Sequence, residues 1–307
     1  AIRSRGLGDV YKRQVLIEEK QIGSGASGRN GGFCLSGWAQ DYEVLMKCLS
    51  KEEVVKLEQI AATGVQWMKK KCMSKGYEHT NLQPGVLDCF LSNNVEKIER
   101  DVFTQNQLFS QNEEFINKGK LNEYVCSDKY TCGVLRKDSF QFHPLNFMKA
   151  LAQDCITLGA SIFENCKFVN YQRNSGKIHA SIVHNNRVFN MQSEKIVFAT
   201  GGYGGKEINE LKNYWLPIKT FIGVTKPMGD ELQSVLKKPL GFSDNRRAGN
   251  YYRVLPGNRL SWGRGISAVA NYSRSSLKKV ISKEISYFFP ELKNIEIDYV
   301  WSGNMAY

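Results

Sequence analysis

The sequence carries its chemistry in two glycine-rich strings, each running out of an apolar, β-branched stretch. The first begins at Val15-Leu16-Ile17-Glu18 and continues through Ile22-Gly23-Ser24-Gly25-Ala26-Ser27-Gly28-Arg29-Asn30-Gly31-Gly32-Phe33. In the second, Lys195-Ile196-Val197-Phe198-Ala199-Thr200 runs into Gly201-Gly202-Tyr203-Gly204-Gly205. Small residues let backbone N–H groups come close to phosphates or to a flat ring. In a dinucleotide fold, a carboxylate at a strand end accepts bonds from ribose hydroxyls, and Glu18 occupies such a position. Each string taken alone is equally a strand end followed by a surface loop or a tight turn.

The surrounding pattern supplies the elements that would position these strings. Val15–Glu18 reads as a buried parallel strand. Residues 51–76 are helical by apolar spacing, and Ser50 with Glu53 forms a capping-box signature. Residues 93–117 read as a second helix, Pro144 to Leu158 as a third ended by Gly159, and 275–289 as a fourth. Strands are expected at 85–91, 124–126, 132–135, 160–164, 167–171, 195–200 and 296–301. A hairpin is expected over 178–191, turning at Asn185-Asn186. Residues 219–262 are mostly strand and turn. Helices and strands alternate in both halves, so the fold class is α/β with an inserted β-rich layer.

Composition narrows the function. The 307 residues suffice for about two domains or one large interleaved body, and 42% apolar with 23% charged residues argues against a disordered chain. No apolar run approaches the ~20 residues of a membrane span. Lys and Arg number 42 against 30 Asp and Glu, a net +12. The excess is dispersed and lacks an aromatic-interleaved basic motif, so it reads as a solvated basic surface and not a nucleic-acid footprint. Eight cysteines occur without a CxxC, and there are four histidines, so zinc-ligand spacing is absent and no metal site is expected. Scattered thiols in a chain of this length suggest a reducing, cytoplasmic compartment.

The string from Ile22 to Phe33 resembles the GxGASGRNGGF segment of the D-amino-acid oxidase-like flavoprotein superfamily, and within it the gamma-glutamylputrescine oxidase-like enzymes. Three further stretches are similar to that family in the same order. They are His143-Pro144-Leu145 through Phe168, Val197 to Tyr203, and Leu216 to Met228 with Tyr251-Tyr252-Arg253 and Leu260 to Gly263. Trp301-Ser302-Gly303 resembles the family's W-x-G. The resemblance covers roughly residues 15–307. It implies an FAD-binding dinucleotide fold (Rossmann-like, of the glutathione-reductase type) with an interleaved β-sheet substrate domain. The cofactor parts would be approximately 15–80 and 143–215, and the substrate parts approximately 81–142 and 216–300.

Carried over residue by residue, the resemblance gives Glu18 the ribose and lays Ser27, Arg29 and Asn30 along the pyrophosphate. Gly31, Gly32 and Phe33 would pass close to the isoalloxazine, the backbone of Phe168 would bracket the adenine, and Thr200, Gly201 and Gly202 would pack against the phosphates. It implies oxidation of an amine or amino acid to an imine, with dioxygen regenerating the flavin and yielding hydrogen peroxide. Lys219 and Lys226 flank a strand expected to approach the cofactor, and either could favour oxygen reduction electrostatically. Tyr251, Tyr252 and Arg253 could orient an acidic or polyamine-derived substrate. Relatives with covalent flavin attach it through a late cysteine. None follows Cys166 here, so noncovalent FAD is expected.

The sequence departs from the family pattern at its ends. The family's first strand and GxGxxG turn should precede Val15, where residues 1–14 read as a leader foreign to the fold. The closing segment should follow Tyr307, and the end looks cut. Trp262-Gly263-Arg264-Gly265 also places Arg264 before the second glycine, where the family more often has both glycines first. Other readings on the same residues are a dehydrogenase of this fold using another acceptor, and a non-catalytic fragment or basic binding module.

Overall fold

The computed structural model describes residues 14–204, 208, 213–269, 272–292 and 294–307. The expected leader, Gln14 apart, and Gly205 of the second glycine string lie outside the described residues. In chain order the elements are β1 (Val15–Ile17), α1 (Ala26–Arg29), β2 (Phe33–Cys34), α2 (Tyr42–Leu45), α3 (Lys51–Cys72), β3 (Gln83–Phe90), α4 (Val95–Phe109), β4 (Glu113–Asn117), α5 (Lys118–Leu121) and β5 (Cys132–Gln141). There follow α6 (Pro144–Thr157), β6 (Ser161–Phe163), β7 (Lys167–Asn174), β8 (Lys177–His184), β9 (Arg187–Ser193), β10 (Pro217–Thr225), α7 (Glu231–Val235), β11 (Gly241–Asp244), β12 (Tyr251–Leu255), β13 (Arg259–Ser267), α8 (Arg274–Phe288) and β14 (Ile297–Ala306).

The chain divides into two units. Unit 1 takes 14–29, 144–219 and 303–307, and unit 2 takes 30–143 and 220–302. Residues 30–80 therefore group with the β-rich part. The cause is local pairing: Phe33 and Cys34 of β2 bond to Gln141 and Phe140 of β5.

Unit 1 pairs β1 with β6 in parallel, Val15 beside Ser161 through Ile17 beside Phe163. A three-stranded antiparallel meander, β7-β8-β9, follows. Asn185 and Asn186, at φ 48° and 60°, make the two-residue turn between β8 and β9 that left-handed-tolerant asparagines predict. Two expectations fail here. The strand at 15–18 forms but is not buried, since Val15 and Leu16 are 42% and 47% exposed. Residues 195–200 form no strand, and Val197 is 87% exposed. β-branched composition favours a strand only where a neighbour completes its ladder, and none of the described strands pairs with this segment.

Unit 2 is built on a nine-stranded sheet ordered β14-β10-β13-β12-β11-β3-β5-β2, with β4 also on β5. One face is sealed by α8, whose Leu277, Ile281, Ile285 and Phe288 recur at helical spacing and are buried. They meet Phe242, Tyr252, Trp262 and Leu87 from the strands. The helix expected over 93–117 ends at Phe109, because Ser110 takes a left-handed φ of 53°. Asn106 then bonds both ways to the Glu113 backbone, and residues 113–117 pair with β5 as a strand. Tyr124–Cys126 makes only a single bridge, Val125 to Leu236.

Candidate functional site

In unit 1, β1 delivers Glu18 to the strand end. The Glu18 N–H donates to the Phe163 carbonyl at 2.9 Å, and its Oε1 accepts the Lys20 N–H at 3.0 Å. The Cys166 N–H bonds the Glu18 carbonyl at 2.9 Å, which ties this end to the start of β7, two residues before Phe168. Phe168 itself packs edge-on to Phe198 at 5.4 Å.

The small-residue loop then folds on itself. Gly23 has φ +80°, and a Cβ at Gly28 would lie 2.2 Å from the Gly23 carbonyl oxygen, so only glycine lets α1 seat there. Gly25 lies against the Tyr203 ring, and Gly303 packs beside Ala26 and Arg29. The Tyr203 hydroxyl accepts the Asn304 N–H at 3.0 Å. Gly202 lies so close to the Met305 backbone that a Cβ would come within 2.6 Å, while at Gly201 it would meet open space. Thr200 closes the turn, its Oγ1 2.1 Å from where a Gly204 Cβ would stand. Ser27, Arg29, Gly201 and Gly202 thus belong to one cluster of segments, with Glu18 and Phe168 on adjoining strand ends.

In unit 2, the Asn30 Oδ1 accepts the Gly32 N–H at 2.9 Å, and the Gly32 carbonyl accepts the Phe142 N–H at 2.8 Å. These bonds lead Phe33 onto the sheet face away from α8. A Cβ at Gly241 would lie 2.6 Å from the Phe33 ring. The Tyr251 ring stands edge-on to Phe33 at 5.9 Å and fills the space over both Gly31 and Gly263. Strand alternation puts Arg253 on the Tyr251 face, between Gly241 and Ser261 of the neighbouring strands.

Arg253 is buried, its Nε has no hydrogen-bond partner, and burial pushes its pKa down to about 10. It is therefore still a cation at neutral pH. Burial likewise raises the Tyr251 phenol, and a hydrogen bond with Thr220 offsets this in part.

The same alternation corrects Tyr252. Its ring is stacked between Trp262 at 4.4 Å and Phe242 at 5.3 Å on the α8 side, and its hydroxyl meets that of Tyr130 at 3.1 Å. It is a core residue. Lys226 sits at the opposite end of β10 from Thr220, about 20 Å along the strand at ~3.3 Å per residue. It is exposed, and its Nζ is 2.6 Å from the Glu296 carboxylate, which raises its pKa. Lys219, half-buried, directly precedes Thr220. Arg264 faces α8 and pairs with Glu284.

One group escaped the sequence reading. Arg136 on β5 binds Asp88 of β3 and, at 2.6 Å, Glu113 of β4, while Ser243 donates to Asp88. Glu58 of α3 is buried with Oε2 unpartnered. These residues come from five elements far apart in sequence. The nearest signal was Glu58, a charge on the buried face of α3.

A family profile described as FAD dependent oxidoreductase, the DAO family, matches residues 7–307. The chain belongs to that family. Among its relatives, the probable oxidoreductase OrdL of Haemophilus influenzae is 26% identical over 97% of this chain and 68% of its own length. The gamma-glutamylputrescine oxidoreductase of Escherichia coli is 24% identical over 94% and 67%. Among solved structures, glycine oxidase from Geobacillus kaustophilus superposes with a TM-score of 0.71 at 15% identity, covering 97% of this chain and 78% of that one. L-Proline dehydrogenase from P. horikoshii gives 0.68 at 18%, covering 95% and 74%. The chain thus has the fold of the DAO-type flavoenzymes and is an FAD-dependent oxidoreductase.

The residues present fit that cofactor. A strand-end carboxylate, a loop whose glycines admit backbone contact and a basic Arg29 beside it match ribose, phosphate and anionic charge respectively. Among the described residues no helix is long and apolar enough to cross a membrane.

Proposed function

We infer that this chain oxidises the CH–NH bond of an amine or amino acid bearing a carboxylate, giving an imine, with dioxygen as acceptor and hydrogen peroxide as product. The observation that carries this reading is Arg253, a buried cation beside Tyr251 and Phe33 with no anionic partner among the described residues. An unpaired buried charge is costly, and a bound carboxylate removes the cost.

FAD, when bound, supplies the hydride acceptor. Glu18 would hold its ribose, Ser27, Arg29, Asn30, Thr200, Gly201 and Gly202 its phosphates, and the Phe168 backbone its adenine. Gly31, Gly32 and Phe33 would lie along its flat ring, noncovalently. The remaining work belongs to Arg253, Tyr251 and Lys219. Arg253 holds the substrate carboxylate through charge-assisted bonds, which fixes one end of the molecule. The Tyr251 ring, wedged between two glycines, gives a rigid wall against which the amine-bearing carbon is oriented. Lys219 is retained as the cation that favours oxygen reduction. Lys226, tied to Glu296 at the far end of β10, is not.

Purified protein should show flavin absorbance that is released on denaturation. Turnover of a carboxylated amine should then yield peroxide stoichiometrically. Reduction of a dye without peroxide would reassign the enzyme to the dehydrogenases, and a colourless protein that cannot take up FAD would end the reading.

A further inference from the structure

Among the described residues no element covers the outer face of α3, and its side chains are unusual for a solvated surface. Ile60 and Trp67 are 60% and 55% exposed. Gly64 lies between them, and a Cβ there would meet nothing within 4 Å. A glycine inside a helix weakens it relative to alanine, so a glycine kept where the chain itself needs no space calls for another reason. At 100° per residue, Glu53, Ile60, Gly64, Trp67 and Lys71 fall within an arc of about 60°. The buried residues of α3, Val54, Glu58, Val65 and Cys72, lie on a separate arc centred about 120° round the helix.

The charges along this stripe are self-complementary. Glu53 lies on it in the first turn of α3 and Lys71 in the last, while Glu52, Lys69 and Lys70 extend the same acidic and basic ends beyond it. A two-fold axis through residue 62 sets Glu53 opposite Lys71, and the same axis sets Ile60 opposite Gly64. One operation therefore satisfies both the charge pattern and the shape pattern, each twice, as an isologous interface requires.

We propose that α3 is a docking surface for a second copy of this chain, packed antiparallel, with Ile60 of each protomer seated in the notch over Gly64 of the other. Trp67 supplies the aromatic anchor on each side. The surface is distinct from the cofactor and substrate residues.

Sedimentation velocity of the full chain across about 1–100 μM should show a concentration-dependent dimer. Trp67→Glu and Gly64→Gln should each raise the dimer Kd by about tenfold or more. Gln is a good helix former, so Gly64→Gln should melt at or above the wild-type temperature, which separates lost docking from lost folding. Glu52→Lys/Glu53→Lys and Lys70→Glu/Lys71→Glu should each be monomeric alone and should dimerise when mixed, far-UV circular dichroism confirming that both are folded. A chain that stays monomeric at the highest concentration overturns the proposal. So does a dimer indifferent to Trp67 and Gly64, or a heterologous protein held on α3 in place of a second copy.

Discussion

Tyr251 stands where a side chain at Gly263 would have to be: a Cβ there would lie 1.9 Å from the Tyr251 Cε2. The ring also crowds Gly31, where the corresponding distance is 2.6 Å. One aromatic ring is thus held between two glycines from segments more than two hundred residues apart. Neither contact yields by a side-chain rotation at the glycine, so any added methyl displaces the ring. Gly263→Ala should cost about 1–3 kcal/mol of stability by overpacking. It should also lower kcat/KM by up to about a hundredfold through misplacement of the substrate wall. Thermal melting and steady-state kinetics test the two parts separately, and wild-type kinetics in a folded Gly263→Ala protein would remove Tyr251 from the site.

Arg253→Met makes a different pattern. The guanidinium has no anionic partner to lose among the described residues and its Nε no hydrogen bond, so stability should hold or rise. For a carboxylated amine, kcat/KM should fall about 10–100-fold, the size of a lost charge-assisted contact. For the matching amine without its carboxylate the change should be small. Arg253→Lys should recover only part of the loss, because an ammonium cannot reproduce the planar fork. Equal losses on both substrates would mean that Arg253 serves the protein's packing and not the substrate.

The cap of α3 is a purely local prediction. The Ser50 Oγ accepts the Glu53 N–H at 3.3 Å, and the Glu53 Oε2 accepts the Ser50 N–H at 2.8 Å. Ser50→Ala should destabilise the protein by about 0.5–2 kcal/mol in denaturant melts without changing the kinetics. A loss of activity at unchanged stability would show that α3 has a part in the chemistry.

That cap was legible in the sequence because its two partners are three residues apart, and the Asn185-Asn186 turn was legible for the same reason. The first glycine string was legible because glycines at close approaches leave a dense local pattern: Gly28 answers to the Gly23 carbonyl in the same loop, and Gly23 to Leu145 of α6. The proposed substrate face was half legible. Tyr251, Tyr252 and Arg253 stood out by type, but which of them share a face depends on where β12 starts its alternation. The Trp262 and Phe242 rings that claim Tyr252 come from other strands. The 195–200 segment and the tail of the 93–117 helix misled for a physical reason. Propensity describes a residue's fit to an element, and the neighbouring strand decides whether that element exists.

Glu58 gives a pH prediction whose sign follows from its surroundings. Burial raises its pKa above the ordinary glutamate value, and the Arg136 charge offsets this in part. Glu113 beside it is raised by burial too, again opposed by Arg136 and reinforced by Asp88 and Glu58. One guanidinium on β5 therefore faces acidic groups from α3, β3 and β4, and cannot neutralise them all. For an acid raised in the folded state, the native protein binds more protons than the unfolded chain across the interval between the two pKa values. Stability then falls as pH rises through that interval. The penalty is absent below the unfolded pKa of about 4.3 and complete above the folded one. Glu58→Gln keeps the shape and removes the charge, so it should melt higher than wild type at pH 7–8 and converge with it toward about pH 4. Differential scanning calorimetry across that range reads the difference directly. If wild type is instead the more stable at neutral pH, the attraction of Glu58 to Arg136 outweighs its burial, and the acidic cluster is a net source of stability.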